Sequence, residues 1–380
     1  MSKLDELIAE LCPEGVEYKC LGKVCNVLRG KRLTKKELSE QYQYPVFHGG
    51  LIPLGKYKDY NRKANQTMVI NTGSVGEVVW SAVPFWSSDG TFTIETQGNI
   101  DNRFVYHFLK SQEPYLKSQK REGGVPTIDR DVIEKIQIPI PPLPIQQEIV
   151  RILDTFTELE AELEAELEAR KKQYEYYKNK LLNSDGIPNV KIMTLGDIGP
   201  VCMCKRILKG ETKPIGEVPF YKIGTFGKRP DAFIPKEKFE QYKKEYSFPK
   251  RGDVLISAAG TIGRAVIYDG KPAYFQDSNI VWINNDESKV LNKYLYYYYL
   301  TNPWPVSKGG TIDRLYNDDI RRTKLAIPPL SEQERIVAIL DRFDALCNDL
   351  SSGLPAEIAA RQKQYEYYRD KLLTFKEKSA

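Results

Sequence analysis

Histidine is almost missing from this sequence: His48 and His107 are the only two in 380 residues. That scarcity argues against a histidine-rich metal centre and against a repeated His-based catalytic site. Six cysteines (Cys12, Cys20, Cys25, Cys202, Cys204, Cys347) form no C-x-x-C pair and no regular framework spacing, so neither a zinc ribbon nor a disulfide scaffold is expected. The lone C-x-C at Cys202 and Cys204 reads as structural. No run of 18 apolar residues occurs, and the opening MSKLDELIAELCPEG has acids where a signal peptide needs a basic flank and an apolar stretch. A reducing cytoplasm is the expected compartment, with no membrane partner. Catalytic signatures are missing too: there is no HExxH, no GxSxG, no DFG set, and no Asn/Asp-Pro-Pro-aromatic tetrad. The glycine runs NTGSVG and AAGTIG lack both GK[S/T] and the GxGxxG order, and read as hairpin turns. No catalytic residue, cofactor or metal is expected.

What is present is a soluble composition with uneven charge. Hydrophobic residues make up 41% of the chain, enough for two or more cored domains. The net charge of +5 is distributed as +2 over 1–137, −3 over 138–183, +7 over 184–325 and −1 over 326–380. Two basic blocks, each followed by an acidic helix-like segment, favour a polyanion partner over a uniformly solvated surface.

The chain is written twice. IPPLPIQQEIVRILDTF (140–156) returns as IPPLSEQERIVAILDRF (327–343), and QYEYYKNKLL (173–182) as QYEYYRDKLL (364–373). Fainter echoes link INTGSVGEVVW (70–80) to ISAAGTIGRAVIY (256–268), GGVPTIDR (123–130) to KGGTIDR (308–314), and LGKV to LGDI. The period is too long for a solenoid and suits a pseudo-twofold molecule. KLDELIAEL (3–11) occupies the place that KNKLLNSDG (178–186) holds in the other half, so the last helix should run back toward the N-terminal segment. The helices repeat nearly letter for letter and the blocks between them do not, which suggests one frame holding two different readers.

The spacing predicts an α+β protein of four parts: a β-rich domain over 1–144, a helix over 145–183, a second β-rich domain over 184–328 and a second helix over 329–380. Pro-Pro-Leu strings stop the preceding structure before each helix. Ser331 and Glu334 have capping-box spacing. Apolar positions at Ile149, Ile152, Phe156, Leu163, Tyr174 and Tyr177 form a coiled-coil-like seam, matched by Ile336, Ile339, Phe343, Leu346, Tyr365 and Tyr368. Two such helices should pair antiparallel. Three tandem Glu-Leu-Glu-Ala units fill 158–169, and SSGLP (351–355) should break or kink the second helix. Both blocks read as short strands punctuated by Gly, Pro and Asn, each followed by a helix, NRFVYHFLKSQ and NKYLYYYYLTN. The run Tyr296–Tyr299 lies in a helical pattern, which favours core packing over base stacking.

The doubled IPIPPLPIQQEIVRILD and LAIPPLSEQERIVAILD, the paired QYEYY helix ends, the opening LCPEGVEYKCLGKV and the loop SKGGTIDRL together resemble the DNA specificity subunits of type I restriction–modification systems, over the whole chain. The resemblance implies two target-recognition domains, each reading half of a split double-stranded DNA site, with the paired helices as spacer. It implies docking to two adenine-N6 methyltransferase subunits and to motor-nuclease subunits, with tandem tetrapeptides setting the half-site separation. Such a chain is itself non-catalytic. On that reading, turn and loop residues contact DNA: Lys31, Arg32, Lys56, Lys58, Arg62, Ser74 and Arg121 in the first block, and Lys205, Arg206, Lys228, Arg229, Lys243, Lys244, Arg264 and Lys308 in the second. Two rivals predict otherwise. A cryptic nuclease or methyltransferase would act unaided, and a non-DNA scaffold with two β-rich modules would bind carbohydrate or protein.

Overall fold

A computed structural model describes residues 2–121, 125–183, 186–304 and 314–378. The chain divides into two compact units, Met1–Ala165 with Glu357–Ala380, and Glu166–Ala356. Each holds one globular block and a pair of helical segments.

In the first unit an antiparallel pair, Glu17–Cys20 with Gln137–Ile140, closes the block where the chain enters and leaves it. Inside are a four-stranded antiparallel sheet, in the order Cys25–Arg29, Thr91–Thr96, Gln66–Ile70, Val78–Ser81, and a three-stranded sheet of Gly55–Tyr57, Tyr44–Phe47 and Trp86–Ser87. The central strand Gln66–Ile70 is buried throughout because both faces are covered. Val69 joins the core around Phe104 and Ile94, while Met68 points the other way, to Phe47 and Phe85.

The second unit repeats the plan. Lys191–Thr194 pairs with Lys324–Ile327, the larger sheet runs Val201–Met203, Ile280–Ile283, Val254–Ser257, Ala265–Ile267, and the smaller one Phe233–Ile234, Val218–Tyr221, Tyr274–Phe275. NTGSVG and AAGTIG are both hairpin turns, between Gln66–Ile70 and Val78–Ser81 and between Val254–Ser257 and Ala265–Ile267. A helix at Lys236–Glu245, anchored by buried Phe239, is not among the expected elements. Tyr297 and Tyr299 are core residues of the helix Asn292–Tyr299.

The first long helix spans Leu143–Leu182, and Pro144 is tolerated in its first turn, where its N–H would lack a helical partner anyway. The second repeat is two helices, Leu330–Asn348 and Leu354–Leu372, so SSGLP breaks rather than bends it. Asp349 caps the break, accepting from the Ser351 amide (2.7 Å) and both serine hydroxyls (2.6 Å). Gly353 is required there, since a Cβ would lie 2.4 Å from the Ala345 carbonyl oxygen. The Ser331 capping box does not form, because the helix starts two residues earlier than that box requires, at Leu330 after Pro329. A buried glutamine secures each start instead. Gln146 Nε2 donates to the carbonyls of Pro141 (2.8 Å) and Asn99 (3.2 Å), and its Oε1 accepts the Asp101 amide (2.9 Å). Gln333 repeats this with Pro328 (2.8 Å), Lys289 (2.9 Å) and the Leu291 amide (2.9 Å).

Within each unit the helical segments pair antiparallel. In the first, Phe156 stacks on Tyr368 at 5.5 Å; in the second, Tyr174 and Tyr177 stack on Phe343 at 6.1 and 5.8 Å. Ile149, Ile336, Tyr174 and Tyr365 are buried, and Ile152, Phe156, Leu163, Ile339 and Phe343 are half-buried. Part of the expected seam is rotated by one residue: Leu153, Leu340 and Cys347 are the buried positions, and Leu346 is 37% exposed. Leu153 belongs to the core of the first unit, and Leu340 and Cys347 to that of the second, which also takes in Tyr174 of the long helix. The final residues run back to the N-terminal segment, as the repeat offset implies. Val16 N–H donates to Lys376 (2.9 Å) and Lys378 N–H to Val16 (2.9 Å).

Truncating Gln146 strips a buried amide of its acceptor, which costs about 1–3 kcal/mol. Gln146→Ala should lower the first unit's unfolding free energy by that amount in urea titration, with local probes in the second unit unmoved.

Candidate nucleic-acid interface

Antiparallel order brings the end of Cys25–Arg29, the start of Thr91–Thr96, the end of Gln66–Ile70 and the start of Val78–Ser81 to one sheet edge. The connecting segments are stitched together there by backbone bonds. Lys31 N–H donates to Ser87 (2.8 Å), Asn71 N–H to Gly90 (3.0 Å), and Ser74 N–H to Gly49 (2.8 Å). Gly73, with φ +94°, permits the last approach, since a Cβ would stand 2.3 Å from the Gly49 carbonyl oxygen. Thr127 bridges to both Thr72 and Arg121. Lys31, Arg32, Ser74 and Arg121 therefore share one loop cluster, although Arg121 is already ion-paired with Asp129.

The remaining predicted residues of this block differ in setting. Lys56 and Lys58 are exposed on and just after the strand Gly55–Tyr57, on the neighbouring hairpin. Arg62 is committed to the fold, its guanidinium donating to the carbonyls of Asn61 (2.7 Å) and Arg29 (3.0 Å). His48 and Asp89, which lie 3.3 Å apart in the same cluster, were not predicted.

The second block builds the equivalent edge from 204–208, 258–264 and 276–279. Exposed Lys205 and Arg206 follow the first strand, and Arg206 Nε donates to Asp277 (2.8 Å). Lys205 Nζ lies 5.0 Å from the Tyr246 ring, which sets the end of the Lys236–Glu245 helix, with exposed Lys243 and Lys244, beside this edge. Exposed Lys228 and Arg229 follow a turn fastened by Arg264, whose Nη1 donates to Phe226 (2.7 Å), so Arg264 has a structural task. Arg314, not predicted, joins the edge through the Ser278 carbonyl (3.2 Å). Lys308, with the Gly-Gly loops at 123–124 and 309–310, lies outside the described residues.

The echo of GGVPTIDR in KGGTIDR is out of register. Ile128 N–H donates to Asn71 (3.1 Å) and Leu315 N–H to Ala258 (2.8 Å), so Thr127 corresponds to Arg314, three residues beyond the literal match. The signal that would have exposed Asp89 and Asp277 is their matching place two residues after the strands Trp86–Ser87 and Tyr274–Phe275, in SSDG and FQDS.

A half-buried polar hub joins each block to its helices. In the first unit Asp154 accepts from His107 Nε2 (2.8 Å) and Arg103 Nε (2.8 Å), and His107 Nδ1 meets the Tyr365 hydroxyl at 3.1 Å. Because a carboxylate only accepts, Nε2 carries the proton and Nδ1 accepts from the tyrosine. Burial holds the His107 pKa below its ordinary value, and the bond to Asp154 only partly opposes it. Burial pushes Asp154 upward, but the bonds from His107 and Arg103 outweigh this and leave it lowered. In the second unit Asp341 accepts from the Tyr297 hydroxyl (2.5 Å) and from Lys293 (2.9 Å). Among the described residues, no group of three or more His, Cys, Asp or Glu side chains is placed to hold a metal, and no helix is long and apolar enough to cross a membrane.

A doubled block with loops gathered at one sheet edge, clasped onto a shared helical frame, is the architecture on which the comparisons converge. The family model described as "Type I restriction modification DNA specificity domain" matches the chain twice, at 13–169 and 188–360. The chain belongs to this family of type I restriction–modification specificity subunits, with one target-recognition domain in each half. A Haemophilus influenzae protein named as a type I restriction enzyme specificity subunit is 47% identical over 375 residues, covering 95% of this chain and 96% of its own. The specificity subunit of an Escherichia coli type I restriction enzyme is 31% identical, with coverage of 99% and 98%. The fold is shared with the S subunit of a type I system from M. genitalium (TM-score 0.59, 18% identity, 94% and 96% covered). It is also shared with a chain solved in work on type I complex assembly and conformational transition (TM-score 0.62, 19% identity, 96% and 98% covered).

Neutral His107 contributes stability that is complete above its unfolded value near pH 6.5 and is lost as the pH falls below it, because the unfolded chain then binds the proton more readily. Urea melts at about pH 7.5 and about pH 5.5 should show the first unit weakening in acid. In His107→Gln that difference should shrink.

Proposed function

We infer that this chain reads a split double-stranded DNA site, one half with each loop cluster, and docks two methyltransferase subunits on its helical frame. Motor-nuclease subunits complete the restriction complex, in the cytoplasm, and the chain itself supplies no catalytic group. The observation that carries this reading is the duplicated loop edge in two blocks that each match the family. Lys31, Arg32, Ser74 and Arg121 in one block, and Lys205, Arg206, Lys243 and Lys244 in the other, are suited to phosphate and base-edge contact from turns. Lys56, Lys58, Lys228 and Arg229 extend the basic rim. The two blocks differ through these loops, so they read different half-sites.

The tetrapeptides at 158–169 lie in the middle of the 40-residue helix Leu143–Leu182. One unit adds roughly 6 Å of helix and about 40° of net rotation, against ~3.4 Å per base pair.

Sequencing for methyladenine in cells that express this chain with its methyltransferase should reveal a new bipartite motif. No motif, from a methyltransferase active with another specificity subunit, would refute the reading. Deleting one Glu-Leu-Glu-Ala unit should shorten the motif's spacer by about one or two base pairs and leave both half-sites intact. In the assembled complex, Lys31→Ala with Arg32→Ala should weaken binding and reduce the slope of log affinity against log salt by about two.

A further inference from the structure

The hairpin that carries Lys56 ends in a tip with no task in the fold. Tyr44–Phe47 and Gly55–Tyr57 are joined through 48–54, His-Gly-Gly-Leu-Ile-Pro-Leu. Ile52 is 79% exposed, Leu51 50% and Leu54 39%, and none belongs to a hydrophobic core cluster among the described residues. The base of the tip is nevertheless held firmly. Gly49 accepts the Ser74 amide (2.8 Å), the Leu54 amide donates to Val46 (2.8 Å), and His48 sits 3.3 Å from both Ser88 and Asp89. Pro53 further restricts the backbone.

An anchored aliphatic tip therefore rises from the same loop cluster that presents Lys31, Arg32 and Ser74, with exposed Lys56 and Lys58 beyond it. The surrounding lysines and arginine suit a polyanion. Within a duplex, the apolar surface on offer to a bulky aliphatic side chain is the stacked faces of the bases and the thymine methyls. Side chains of this class inserted at a base step part the stack and kink the helix. We propose that Leu51 and Ile52 form a wedge that enters the base stack of the half-site read by the first block. The proposal rests on the DNA-reading function argued above.

Among the described residues the matching hairpin of the second block has no such aliphatic tip, and Leu208, 62% exposed, stands singly on a different segment of that edge. The matching loop follows Val218–Tyr221 at 222–232, where Ile223 is half-buried with its amide bonded to Gln276 (3.0 Å), and Phe226 is buried. Ile215, 85% exposed, precedes that strand and so belongs to its other end. The wedge is therefore expected to deform one half-site only, and the other serves as an internal control.

The test uses the full chain assembled with its methyltransferase subunits, on duplexes carrying 2-aminopurine in one half-site or the other, away from the methylated adenine. Binding to the site is measured in parallel by gel shift, so that loss of DNA reading is distinguished from loss of the wedge. The wild-type complex should raise 2-aminopurine emission severalfold at a step in the first block's half-site. Leu51→Ser with Ile52→Ser should abolish that rise, reduce affinity for the site about tenfold, and leave the second half-site's signal and the assembly unchanged. Exposed positions tolerate such changes, and an unaltered urea melt would verify the fold. Site-specific binding with no emission change in the wild type, or an equal change in the double variant, would overturn the proposal. So would loss of methyltransferase capture by the variant, which would make the tip a protein contact.

Discussion

A glutamine side chain buried at the start of each long helix is the join on which the rest depends. Gln146 and Gln333 are wholly enclosed, and each satisfies two carbonyls and one amide at the place where a globular block meets its helix. A buried amide that satisfies its partners so fully tolerates one geometry, because any shift leaves polar groups unpaired in a dry site. With the strand clasps at Glu17–Cys20/Gln137–Ile140 and Lys191–Thr194/Lys324–Ile327, the joins fix both ends of each block. Everything between can then diverge without disturbing the frame, which is what two readers of different sequence require.

The hubs at Asp154 and Asp341 show how far that divergence reaches inward. Both carboxylates hold a helix of the block to a helix of the frame, yet one is served by an imidazole and an arginine, the other by a phenol and a lysine. The carboxylate is common to both halves and its donors are not. The loop edges follow the same rule. Backbone bonds such as Ile128 to Asn71 and Leu315 to Ala258 recur, as does an aspartate, while its partner changes from His48 beside Asp89 to Arg206 on Asp277.

Most of the frame was legible because helices with a repeated apolar stripe leave a strong periodic signal and Pro-Pro-Leu marks their starts. The turns NTGSVG and AAGTIG were legible for the same local reason. The seam was misread by one position at Leu346 because periodicity reports that a stripe is buried, not which of two adjacent apolar residues, Leu346 or Cys347, lies at its centre. The site was less legible. Charge alone does not separate Lys31, exposed at the loop edge, from Arg62, whose guanidinium is spent on carbonyls of its own chain, since both are basic residues near turns. His48 and Asp89 gave no signal, as their proximity exists only once three loops have been drawn together. The TIDR echo misled because identical letters fell three residues from identical backbone roles.

The break at 349–353 carries a mechanical meaning. The first long helix is continuous through its tetrapeptides, whereas its companion repeat is interrupted by a segment coiled so tightly that Gly353 lies against the Ala345 carbonyl. Five residues drawn out would reach about 17 Å, far more than the compact turn they now occupy. The interruption is stored slack, a reserve of length that the continuous first helix, fixed at about 1.5 Å per residue, does not have.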